Sequence, residues 1–70
     1  MTAKQATFEF LDRIGSGSII TGNGLREQVQ LVTGEYHFAA TTLRYMREWR
    51  RATGRKVVCT NSLKSMYRVV

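Results

Sequence analysis

The segment EYHFAATTLRYMREWRR, Glu35 to Arg51, decides how this chain folds. At about 100° per residue it reads as a long amphipathic helix, with Ala39, Leu43 and Met46 on one stripe and Thr42 and Trp49 beside them. That stripe is a core face. His37, Thr41, Arg44, Arg47, Glu48 and Arg51 land on the opposite side, so the solvent face carries three guanidiniums against one carboxylate. A surface helix ordinarily mixes both signs. A face of this composition suits phosphates and base edges, which makes the helix the candidate functional element.

Working outward toward the N-terminus, Leu25, Val29 and Val32 recur at helical spacing with Leu31 at their border, and predict a helix over about 24–32. Asn23 is placed to cap its start and Gly34 to stop it. The long helix follows over about 36–52. Only Thr33-Gly34-Glu35-Tyr36 separates the two, and a short glycine-containing turn between two amphipathic helices has helix-turn-helix geometry. Further upstream, GSGSIITGNG holds four of the six glycines. It is not a phosphate-cradling loop, because Leu25 and Arg26 stand where a lysine and a hydroxyl residue are needed. Its β-branched Ile19 and Ile20 suggest a very short extended piece, Ser18 to Thr21, able to pair with a later strand. Ala6 or Thr7, Phe10, Leu11 and Ile14 predict a first helix over about 4–14 with Gly15 as its stop, and leave Phe8 off the centre of the stripe.

Toward the C-terminus, Gly54 can end the long helix, and the period then changes. Lys56 to Thr60 and Ser65 to Val70 are rich in β-branched and aromatic residues, with Asn61-Ser62 between them, and predict an antiparallel hairpin over about 56–70.

The 70 residues form one domain, 1–70, of a size that buries only about 60% of its unfolded surface. With 43% hydrophobic and 23% charged residues the chain has a globular composition. No apolar run approaches the roughly 20 residues of a membrane helix, and the N-terminus lacks signal-peptide character, so the expected location is cytoplasmic, without membrane contact. Cys59 is the single cysteine, so neither an internal disulfide nor a cysteine zinc site staples the core. Charge is unevenly placed. From Met1 to Gly34 three cations balance three carboxylates; from Glu35 to Val70 eight cations oppose only Glu35 and Glu48, and the whole net charge of +6 lies there. Such asymmetry favours a polyanionic partner.

This order of elements, with the stretch LREQVQLVTGEYHFAATTLRYMREWRRATGRKVV, resembles the winged helix-turn-helix domains of small bacterial and phage regulators. The resemblance implies an α+β fold of three helices, a short strand and a C-terminal β-hairpin wing. Two features depart from it: Tyr36 and His37 stand where serine or proline is usual, and the hairpin tip is short. What it implies for function is sequence-specific binding of double-stranded DNA, by a transcriptional regulator or a phage or plasmid accessory factor. His37, Ala40, Thr41 and Arg44 would face the groove, with Tyr36 at the entrance of the recognition helix. Arg44 is the first choice as base reader, since arginine can bridge O6 and N7 of guanine. Arg47 and Arg51 would hold phosphates, and Arg55, Lys56, Lys64 and Arg68 would be wing or backbone contacts. A homodimer on a two-fold-related site is a reasonable expectation, with the first helix around Phe8 as its candidate surface. The alternative is a protein-interaction module of the same fold that docks on an acidic partner.

Structural roles are expected for several neighbours. Arg50 and Trp49 can stack as a cation–π pair, Tyr45 can border the core, and Cys59 reads as a small buried hydrophobe. His37 has no second histidine or nearby cysteine, so no metal is expected, nor any cofactor or small-molecule substrate. Glu27 and Glu48 read as ion-pair partners and not as a catalytic pair, and no enzyme activity is expected.

Overall fold

In a computed structural model describing residues 1–70, Thr2 starts the first helix. Its hydroxyl accepts from the Gln5 backbone while the Gln5 side chain accepts from the Thr2 backbone, a reciprocal cap that satisfies two orphan donors of α1 (Ala3–Arg13). The helix ends when Ile14 turns extended, not through a left-handed Gly15 as expected; the positive φ in this loop belongs to Gly17. β1 (Ile19–Thr21), α2 (Gly22–Thr33), α3 (Ala39–Thr53), β2 (Val57–Asn61) and β3 (Met66–Val69) follow. The architecture is α+β: three helices against a three-stranded antiparallel sheet of order β1-β3-β2. The short strand thus pairs with the last one, and the hairpin expected near 56–70 is present.

Leu11 of α1, Ile20 of β1, Leu25 of α2, Met46 and Trp49 of α3, Val57 and Val69 make one buried cluster. Trp49 is its largest member and is fully buried. A buried indole N–H needs a partner; Trp49 Nε1 donates to Asp12 Oδ1 at 2.9 Å, tying α3 to α1. The buried stripe of α3 runs through Thr42, Met46 and Trp49, rotated slightly from the Ala39-Leu43-Met46 line expected, because the Thr42 hydroxyl is satisfied by its own helix at Ala39 O, 3.0 Å away. On α2, Leu25 and Val29 are buried, but Val32 is 45% exposed. The last turn of that helix runs past the core.

Thr21 and not Asn23 caps α2. Its Oγ1 accepts from Gly24 N at 2.9 Å, and Asn23 lies inside the helix. Pairing decides between them: β1 stays in register with β3 through Thr21↔Met66, and Gly22 N then donates to Ser65 O of the hairpin turn at 2.9 Å, so helix winding starts one residue after the strand. Gly22 is buried where α2, α3 and the hairpin meet; a Cβ there would lie 3.4 Å from both Leu43 Cδ1 and Ser65 Cβ. Thr21→Ala is expected to cost about 1 kcal/mol of stability while Asn23→Ala costs little, read as shifts of the urea midpoint. Equal losses would contradict this placement of the cap.

Gly34 and Gly54, with φ of 74° and 72°, end α2 and α3 in the left-handed region as their positions in the sequence suggest. The start of α3 differs. Helix begins at Ala39, not near Tyr36; Tyr36, His37 and Phe38 precede it, with Phe38 extended and offering no side-chain cap. Edge-to-face packing of Tyr36 on Phe38, 5.6 Å between centroids, and the Arg26 guanidinium 4.8 Å from the Tyr36 centroid engage these rings outside the helix. Cys59, expected inside, is exposed: it lies in a row with Ile20 and Tyr67 but on the outer strand β2.

Candidate nucleic-acid interface

With its other side committed to the core, α3 presents Ala40, Arg44, Arg47 and Arg51 outward, at i, i+4, i+7 and i+11, and all four are exposed. Thr41 sits half-buried on the flank of this stripe. Ala40 leaves the first turn of the stripe without bulk, so the helix backbone is open to close approach there. Arg44 is steadied by its neighbour: the guanidinium lies 5.2 Å from the Tyr45 ring centroid and donates a long 3.5 Å bond to the Tyr45 hydroxyl.

Gly54 turns the chain back at the end of α3, and Arg55 returns over the buried tryptophan. Its guanidinium is 5.2 Å from the Trp49 ring and 3.5 Å from Ser16 Oγ, to which it donates. Arg55 therefore takes the cation–π position expected for Arg50, and it belongs to the loop after α3 and not to the hairpin. Arg47, Arg50, Arg51 and Arg55 line one open hollow of about 290 Å³. Arg50 was not a site residue on sequence grounds; its spacing of three from Arg47, together with the glycine that brings Arg55 back, is the signal that could have found it.

Ion pairing leaves this surface uncompensated. The protein has two ion pairs, Lys4–Glu48 at 3.8 Å and Arg26–Glu27 at 3.9 Å. None of the eight cations beyond Glu35 is in either. Glu48 is the one carboxylate on α3, and Lys4 of α1 engages it. The C-terminal end of α3 offsets part of the mutual repulsion, since its carbonyls favour the cations Arg50 and Arg51. Guanidiniums held this way can offer paired N–H donors to oxyanions.

The remaining expected positions divide. Tyr36 is 61% exposed, ahead of the helix. His37 is corrected: it is half-buried before α3 and not on its solvent face, and its Nε2 is shut from solvent with no hydrogen-bond partner. Lys56 is exposed just before β2, and Lys64 is exposed in the hairpin turn, its backbone N–H held by Asn61 Oδ1 at 3.2 Å. Beside it Leu63 is 97% exposed. Arg68 stands exposed on the central strand β3, in one row with Ile19 and Val58.

No family model, no curated protein and no solved structure matches this chain. What the surface presents follows from its own side chains: α3 carries Ala40 near its start, Arg44 in mid-helix and Arg47, Arg50 and Arg51 toward its end, with Arg55 just beyond it. No helix is long and apolar enough to cross a membrane.

Proposed function

We propose that this protein binds double-stranded DNA sequence-specifically, as a winged helix-turn-helix domain acting in transcription regulation or as a phage or plasmid accessory factor. One observation carries the reading: the exposed stripe of α3 bears arginines that no carboxylate neutralises. The order α1, β1, α2, α3, β2, β3 supports it, since three helices, a short strand and a terminal hairpin are what the resemblance implies. The role is binding, with no catalysis and no cofactor. Basic residues draw the protein to the phosphate backbone, and the start of α3 enters the major groove. Ala40 allows the approach and Arg44 reads a base edge. Arg47, Arg50, Arg51 and Arg55 grip phosphates at the far end of the helix. The β2–β3 hairpin flanks as the wing, with Lys64 at its tip.

The test separates reading from gripping. Arg44→Ala is expected to relax preference at one base position, worth about 1–3 kcal/mol of discrimination, whereas Lys64→Ala weakens all duplexes alike. Selection from a randomised duplex pool with each variant measures both. An Arg44→Ala protein that keeps the parent's base preferences contradicts the assignment.

A second reading, docking on an acidic partner protein, is favoured by the exposed Leu31, Val32, Tyr36 and Phe38 on the last turn of α2 and the segment after it. Under that reading neither substitution changes binding to any duplex.

A further inference from the structure

Beside the end of the arginine stripe, where Lys4 and Phe8 border a hollow with Glu48 and Arg51, the outer face of α1 carries both signs of charge around apolar side chains. Met1, Lys4, Gln5, Phe8, Glu9 and Asp12 line a single open groove of about 510 Å³. Phe8 is half-buried at its centre, with the Lys4 ammonium 5.7 Å from its ring. Charge along this face is ordered. Lys4 stands four residues before Phe8 and Asp12 four residues after it, with Glu9 adjoining, so reversing the helix end for end about Phe8 exchanges the cation with the acidic end.

That is the property a two-fold interface requires, because the same patch must complement itself. A copy of α1 laid antiparallel brings each Lys4 to the other's Glu9 and Asp12, with Phe8 against Phe8. A parallel approach sets like on like. Net charge favours the same face: the groove itself sets Lys4 against Glu9 and Asp12, so two copies meet there with less repulsion than through the arginine stripe of α3. We infer that this face of α1 docks a second copy of the same chain as an antiparallel helix pair.

Existing contacts permit it. The Lys4–Glu48 pair is long and both side chains are substantially exposed, so Lys4 exchanges partners at little cost. Asp12 uses Oδ1 for Trp49, and its other oxygen makes no hydrogen bond. A helix of 11 residues is about 16 Å long and covers less than the roughly 800 Å² per partner of a standard stable complex, so the pair is weak when free. The six residues lining this groove are not among those proposed to hold DNA, but the two surfaces adjoin, since Lys4 and Phe8 border a hollow with Glu48 and Arg51.

Sedimentation equilibrium on the full chain, up to millimolar concentration, tests it with Lys4→Glu and Glu9→Lys. Both positions are exposed, and the near-UV signal of Trp49 verifies that the variants fold. The parent chain is expected to dimerise as concentration rises. Each variant alone puts like charges together and weakens self-association by about tenfold or more, and an equimolar mixture of the two associates again because the reversed charges pair across the interface. A parent chain that stays monomeric throughout, variants that self-associate as the parent does, or a mixture that fails to recover overturns the inference.

Discussion

Trp49→Ala is expected to destabilise the fold by about 3–5 kcal/mol, the range for removing a fully buried large aromatic side chain. A domain of 70 residues has about 4–10 kcal/mol in total, so the variant is largely unfolded at 37 °C or close to it. Three losses combine. The cluster of Leu11, Ile20, Leu25, Met46, Val57 and Val69 loses its largest member, the Asp12 bond between α3 and α1 disappears, and Arg55 loses the ring it stacks on. Trp49→Phe keeps most of the apolar packing and gives up the indole N–H. It should cost about 1–2 kcal/mol, because Asp12 is exposed and water can take over its oxygen. Urea denaturation followed by far-UV circular dichroism measures both. An alanine variant that loses less than the phenylalanine one would contradict the central place given to Trp49.

The second large effect is on binding and carries the opposite sign for stability. Arg47→Ala with Arg51→Ala removes two guanidiniums from the α3 stripe and from the hollow they share with Arg50 and Arg55. Charge-assisted hydrogen bonds are worth about 1.5 kcal/mol or more each, so affinity for a duplex should fall about 100-fold near 100 mM salt. The slope of log affinity against log salt should become shallower by about 2, one unit for each phosphate no longer neutralised. The melting temperature should hold or rise slightly, since two like charges leave a crowded site and no ion pair is broken. Fluorescence anisotropy across a salt series and a thermal melt on the same samples check the two halves. A lower affinity with an unchanged slope would mean that these arginines do not meet phosphates.

The element types and their order were legible in the sequence because each has a local cause. Leu11, Leu25, Val29, Met46 and Trp49 keep helical spacing, Gly34 and Gly54 sit where a left-handed residue is needed, and residues 57–61 and 66–69 change to β-branched and aromatic types. What could not be read was settled by interactions between distant residues. Asn23 is the better cap in isolation; the pairing of Thr21 with Met66 and the bond from Gly22 to Ser65 override that preference. Tyr36 and His37 continue the helical pattern, but ring packing with Phe38 and Arg26 engages the segment outside the helix. Val32 has the right spacing for burial and finds no core beneath it. Within the candidate site the outward arginines of α3 follow from its periodicity. The placement of Arg55 over Trp49, and of Arg50 in the same hollow, depends on how the chain returns after Gly54.

Selection from a random pool of DNA duplexes over a salt series, with sequencing of what is retained, tests the central claim most directly. Enrichment of a defined motif is expected, with retention falling steeply as salt rises and base preference at one position depending on Arg44. Retention of no duplex even at low salt would contradict the claim, and would turn the unpaired arginines of α3 toward an acidic protein instead.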